Sequence, residues 1–287
     1  MDFKRFVEEK LNTKVSSVTK INGGMMNESF LFTTPFGKYV GYFPPEHVAG
    51  MVDRKLEKFH LDLAGRNNLT NENAYFDVES GIKINKYIDG SSLNHTSSYD
   101  IKKVAKLMKS FHSLNPLSGV EYAPFERLKD YQNEAAKYQQ LSTDYITLRN
   151  FLFANMDLIK NDKQVISHND AQKSNILKSV DDEYFLIDFE FAADNDEYYD
   201  IATFGNDHVE EGVQLLYAYL NGNVENDDLK KYYFWRIFVS LQWHLVAISK
   251  HYKGEGAIHN FNFLDVAEHF MNNAKEAYQK MNQLMQA

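Results

Sequence analysis

Apolar and polar residues alternate along Ile82-Lys83-Ile84-Asn85-Lys86-Tyr87-Ile88 and stop at Asp89-Gly90, a period of two that predicts a half-buried strand closed by a glycine. Gly37 to Phe43 reads as another strand, and Tyr184 to Ile187 as a short apolar one with Asp188 at its end. The period then changes. Val104, Ala105, Leu107, Met108 and Phe111 recur three and four apart between Ile101 and Leu114, which predicts an amphipathic helix capped by Asp100. A first helix is expected over Asp2 to Leu11, and Asp200 is placed to cap one beginning at Ile201. Helices are also expected from Leu229 onward, where Tyr232, Tyr233, Phe234, Trp235, Phe238 and Trp243 crowd into Lys231 to His251. The polar, turn-rich stretch Ser91 to Asp100 reads as a linker. The pattern thus places strands early in the chain and helices both at its start and further along, with a change of composition after Gly90.

Composition narrows the class. The chain has 287 residues, 44% apolar and 25% charged, enough to bury a large core. No apolar run reaches membrane-spanning length and no signal peptide opens the chain, so a soluble, cytoplasmic protein is expected. The absence of cysteine excludes disulfides and thiolate metal sites, and the ten histidines lack the spacing of a zinc motif. A net charge of -9 without a basic cluster argues against a nucleic-acid partner and suits a cationic small-molecule acceptor. Nothing in the sequence fixes an oligomeric state.

Two short stretches carry the chemistry. In Ile166-Ser167-His168-Asn169-Asp170-Ala171-Gln172-Lys173-Ser174-Asn175, Asp170 is a candidate base and Asn175, across a short loop, a candidate oxygen ligand for Mg2+. Asp188, in Ile187-Asp188-Phe189-Glu190, is the second candidate metal ligand. A base beside two metal ligands is what phosphoryl transfer requires, since the protein's task there is to place charge and orient a hydroxyl. In Ile21-Asn22-Gly23-Gly24-Met25-Met26-Asn27, the glycines Gly23 and Gly24 would let backbone amides approach a phosphate, or turn a hairpin.

The run Ile187-Asp188-Phe189-Glu190-Phe191-Ala192, then Asn195 and Tyr199-Asp200-Ile201-Ala202, resembles the choline/ethanolamine kinases, relatives of the aminoglycoside kinases within the protein-kinase-like superfamily. The glycine loop with Asn27, the segment Asp53-Arg54-Lys55-Leu56-Glu57 and the stretch Leu241-Gln242-Trp243-His244-Leu245-Val246 also resemble that family. The resemblance implies an α+β, two-lobed protein-kinase-like fold, with a small antiparallel-sheet lobe over 1–89 and a larger, mainly helical lobe over 90–287, ATP and Mg2+ as cofactors, and transfer of phosphate to an amino alcohol, choline or ethanolamine. It further implies that His168 fixes the catalytic loop, that Asp200 is structural, and that the backbone of Lys86, Tyr87 and Ile88 meets adenine. Gly23, Gly24, Asn27, Arg54 and Glu57 would serve the nucleotide. Glu190 would support the acceptor or metal waters, and Trp243 and Trp235 would face a quaternary ammonium through cation–π attraction.

The chain departs from the pattern at several positions: Met26 replaces a hydroxyl residue, and Val246 replaces a second tryptophan. Most important, Tyr42 stands where the family carries a phosphate-holding Lys or Arg. Lys38 shares a strand face with Tyr42 but lies roughly 13 Å along it. Arg54 and Lys173 are the candidate replacements. The alternatives are a kinase of an aminoglycoside or another hydroxylated metabolite, and a weakly catalytic, pseudokinase-like nucleotide-binding module.

Overall fold

Asp2 caps the first helix, α1 (Phe3–Lys10), by accepting the Arg5 N–H, and the helix lays Phe3, Phe6 and Val7 onto a sheet. That sheet is built from β1 (Ser17–Ile21), β2 (Glu28–Thr34), β3 (Gly37–Phe43), β4 (Asn73–Phe76) and β5 (Lys83–Lys86), in the order β1-β2-β3-β5-β4. All its pairings are antiparallel. Phe32, Phe43, Ile82 and Ile84 meet α1 on one face, and burying each such side chain is worth about 1.5–3 kcal/mol. Helix α2 (Arg54–Arg66), capped by Asp53 on the Lys55 and Leu56 amides, buries Glu57, His60, Leu61 and Ala64. The computed structural model describes residues 2–21, 27–45, 50, 52–160, 163–256 and 262–286.

The expected strand from Ile82 to Ile88 ends early, at Lys86, because the chain changes sheets. Gly90 opens β6 (Gly90–Ser92), which pairs with β8 (Ile176–Ser179), and β8 pairs in turn with β9 (Tyr184–Leu186). A Cβ on Gly90 would stand 2.2 Å from the Lys178 carbonyl oxygen, so this crossing admits only glycine.

These elements form the first of two compact units, residues Met1–Tyr99, Leu114–Ser118 and Lys173–Ala193; the second comprises Asp100–Ser113, Gly119–Gln172 and Asp194–Ala287. The division differs from a single cut after residue 89. Lys173–Ala193 belongs with the strands because β8 pairs β6 and the Leu186 N–H donates to the Leu69 carbonyl.

The second unit is mainly helical: α3 (Ile101–His112), α4 (Pro124–Ala135), α5 (Thr143–Ala154), α6 (Glu197–Phe204), α7 (Val209–Tyr219), α8 (Asn226–Tyr252) and α9 (Phe263–Gln286). A short pair, β7 (Gln164–Ser167) and β10 (Ala193–Asp196), lies among them. Asp100 caps α3 as the pattern predicts. Asp200 does not cap: Asp196 accepts the Tyr198 N–H and caps α6, leaving Asp200 inside the helix. Arg236 is fully buried on α8, its guanidinium bound to the Ala202 carbonyl, Asn206 and Ser240. No helix among the described residues is long and apolar enough to cross a membrane.

Candidate active site

In the first unit, the antiparallel register of β3 and β5 sets Tyr42 directly opposite Lys83. Facing residues of such a pair project from the same side of the sheet. Ile82 and Ile84 pack toward α1, so Lys83 and Asn85 point to the other face; that face is buried as well, with Lys83 3% exposed. Glu57 of α2 meets the ammonium there, Oε1 to Nζ at 2.5 Å. Its other oxygen takes the Arg54 guanidinium at 2.6 Å, which the i,i+3 spacing allows.

Arg54 also reaches Glu190 Oε1 at 3.1 Å, and Asn27 donates to the same oxygen at 2.8 Å. Lys83 lies 3.5 Å from Asp188 Oδ1. Burial by itself would discharge Lys83, but Asp188, Glu57 and Glu190 outweigh it and hold the ammonium above its ordinary pKa. Glu57 and Glu190 likewise keep Arg54 charged against burial. Lost hydration pushes the Asp188 carboxyl up to about 6, with Glu190 and Glu57 adding to the rise and Lys83 opposing it.

Asn175 closes a short 3-10 turn, Lys173–Asn175, and its carbonyl accepts the Ile187 N–H at 2.9 Å. That bond ties Asn175 to the residue preceding Asp188, whose φ of 66° is a left-handed conformation rarely taken without a local constraint. Oxygen atoms of Glu57, Asp188 and Glu190 all lie within 4.8 Å of one another. Asn27 Oδ1 is buried with no donor among the described residues. An all-oxygen set of carboxylates and amides, with one acceptor unspent, fits a hard cation such as magnesium.

In the second unit, β7 delivers His168, Asn169 and Asp170. Asp200 accepts the His168 and Asn169 N–H groups, each at 2.7 Å, and meets His112 Nε2 at 3.0 Å. These partners overcome burial and hold the Asp200 carboxyl below the usual carboxylate range. Asn195 donates to Asn169 Oδ1 at 2.7 Å, supporting that residue's φ of 61°. Asp170 follows this pinned pair, half-buried, with Gln172 Nε2 3.3 Å from its Oδ2. Tyr131 lies near enough for the Asp170 charge to raise its pKa, after burial as the main cause.

Trp235 is 2% exposed; its indole N–H donates to Asp196 at 2.6 Å and its ring stands edge-on to Tyr199 and Phe238, each at 5.3 Å. Trp243 is half-buried and stacks on Phe270 at 5.8 Å. The Lys86 and Tyr87 amides are already bonded to the Glu72 and Lys38 carbonyls. Gly23 and Gly24 lie outside the described residues.

The structure thus brings Asn27, Arg54, Glu57 and Glu190 into one ion-pair network with Asp188, to which Asn175 is tied through the backbone, and pins His168 beside Asp170 in the other unit. Sequence reasoning missed Lys83. It reads as the solvent-facing position of an alternating strand, whereas both faces of β5 are buried. At Tyr42, where Arg54 or Lys173 is expected to supply the missing charge, the Lys83 Nζ stands 5.1 Å from the ring centre.

A family model described as choline/ethanolamine kinase matches residues 18–213. Protein LicA of Haemophilus influenzae is 29% identical over 194 residues, which is 63% of this chain and 55% of the relative, so the match spans little more than half of that relative's length. The crystal structure of choline kinase LicA from Streptococcus pneumoniae superposes with a TM-score of 0.74 at 24% identity, covering 99% of this chain and 100% of that one. A spectinomycin phosphotransferase solved with ADP and spectinomycin gives a TM-score of 0.62 at 13% identity, over 94% of this chain and 97% of its own. These likenesses place the fold among the kinase-like phosphotransferases.

Proposed function

The chain belongs to the choline/ethanolamine kinase family, and from that premise we propose that it transfers the γ-phosphoryl group of ATP to the hydroxyl of an amino alcohol, choline or ethanolamine. The observation that carries this reading is the pinned loop. Asp200 fixes the backbone of His168 and Asn169, and so presents the Asp170 carboxylate in a set position. Asp170 orients the acceptor hydroxyl and takes its proton as the oxygen–phosphorus bond forms and ADP leaves. Asn175 and Asp188 would hold magnesium, which would supply positive charge against the phosphates. The acceptor's cationic head would be met by aromatic faces of the second unit. There the partly exposed Trp243 is a better candidate than Trp235, whose indole N–H and ring are engaged in the core. Use of ATP goes with a cytoplasmic location. The spectinomycin phosphotransferase solved with ADP supports nucleotide use by this fold.

The test is magnesium-dependent ADP release from ATP over choline, ethanolamine, several aminoglycosides and sugar alcohols. Stimulation by one amino alcohol is expected, with turnover down by about 10²–10⁴-fold in Asp170→Asn. Near-normal turnover of that variant would sink the role given to Asp170, and stimulation by an aminoglycoside alone would reassign the acceptor.

A further inference from the structure

We propose that the ammonium holding the nucleotide's phosphates in this chain comes from Lys83 on β5 rather than from β3, and that positions 42 and 83 are interchangeable carriers of it. The proposal rests on the kinase reading above and deepens it.

Tyr42 occupies the β3 position at which the family's cation stands. Burial lifts its phenol to about 12, so at neutral pH it is uncharged and offers phosphate no cation. Lys83 faces it across the ladder. Directly opposed residues have Cβ atoms about 4.5–5.5 Å apart, so a four-carbon stem from either strand reaches the same volume above the sheet. The Lys83 ammonium lies over the Tyr42 ring, 5.1 Å from its centre, and the ring fills the space a β3 lysine stem would occupy while adding cation–π attraction.

Three observations separate this role from a plain buried ion pair. Glu57 binds Arg54 through its other oxygen at 2.6 Å, so Lys83 is not its sole cationic partner. Lys83 carries three N–H donors; among the described residues one is spent on Glu57 at 2.5 Å and a second only weakly on Asp188 at 3.5 Å, which leaves capacity for phosphate oxygens. The network of Arg54, Lys83, Glu57, Asp188 and Glu190 combines two cations with three carboxylates. It places the ammonium beside Asp188, the residue proposed to hold the metal on the same phosphates. A buried salt bridge alone adds little stability, and this network keeps one carboxylate more than its cations, which a metal on the same phosphates would balance.

The experiment measures ATP and adenosine affinity by calorimetry, alongside turnover, for the wild type, Lys83→Met, and the exchange Tyr42→Lys/Lys83→Tyr. Lys83→Met should weaken ATP binding by about tenfold or more, the share of a charge-assisted contact, and leave adenosine within about twofold. The exchange should recover ATP affinity to within about tenfold of wild type, and with it measurable turnover. Because removing Lys83 leaves a buried carboxylate, Lys83→Met/Glu57→Gln removes both charges if the single variant fails to fold; it should show the same selective loss of ATP. Wild-type ATP affinity in a folded variant lacking Lys83 would overturn the proposal, as would a folded exchange that binds ATP no better than Lys83→Met. A wild-type chain that binds no ATP would instead overturn the kinase reading, and this assignment with it.

Discussion

Glu57 in the first unit and Asp200 in the second are equally buried, at 1% exposure each, yet opposite kinds of partner hold them. Two side-chain cations, Lys83 and Arg54, share Glu57. Asp200 accepts two backbone amides and meets a histidine. A charge delivered by a long side chain can arrive from more than one strand, so the first site tolerates an exchange of position such as Tyr42 for Lys83. Backbone amides arrive only where the chain itself passes. The second site therefore ties its function to a fixed stretch, His168-Asn169-Asp170, and to one residue of α6.

The largest expected effect lies on the side-chain site. Glu57→Ala leaves Lys83 and Arg54 without their shared counter-charge and should cost about 3–5 kcal/mol of unfolding free energy, read by denaturant titration. Hydrogen exchange should show the loss in α2 and β5 amides, while the His168 and Asn169 amides keep their protection. Equal loss at both places would mean that the two sites are not independent. Asp200→Ala should do the reverse. Two buried N–H groups lose their acceptor, at about 1–3 kcal/mol, and the loop carrying Asp170 loosens. Turnover should fall at least about tenfold while ATP affinity stays near wild type; unchanged turnover would show that the pinning of the loop does not matter to Asp170.

The same contrast explains what the sequence made legible. His168, Asp170, Asn175 and Asp188 stand within a short stretch of the chain, at spacings set by a loop and a two-stranded ladder, so a string of residues is enough to nominate them. Asp200 was recognised as structural, although its cap role went to Asp196, because a cap and an amide-binding carboxylate look alike in a list of residues. The network draws on Asn27, Arg54, Glu57, Lys83, Asp188 and Glu190, from four separate segments. Only the antiparallel register of β3 and β5 sets Lys83 opposite Tyr42. The alternation around Ile82 and Ile84 identified the strand and hid the lysine, since period two reports two faces and not whether both are buried. The end of that strand at Lys86 was hidden as well, because the steric limit at Gly90 comes from β8, far along the chain.

A smaller effect should again fall on one side of the comparison. Gly81 has a φ of +73°, and a Cβ there would stand 2.5 Å from Arg54 Nε. Gly81→Ala should cost about 1–2 kcal/mol through the left-handed backbone alone. It should also displace the Arg54 guanidinium from Glu57 and Glu190 while leaving the Asp200 loop unaltered. A loss no larger than this backbone cost would show that Arg54 swings aside freely and is not held over this turn.

The smallest expected effect is a dependence on acid, and it belongs to Asp200. Its carboxyl pKa is lowered in the folded chain, so the unfolded chain binds the proton first as pH falls. The stabilisation is therefore fully present above the ordinary carboxylate pKa of about 3.9 and is lost as pH drops through the lower folded value. An asparagine at this position cannot titrate, and its amide oxygen can still accept one of the two N–H groups. The difference in melting temperature between wild type and Asp200→Asn should accordingly stay constant from pH 7 to about 5 and shrink below about 4. A difference that holds undiminished in acid would mean that the loop needs only an acceptor of the right shape at residue 200, and that the negative charge contributes nothing to pinning Asp170.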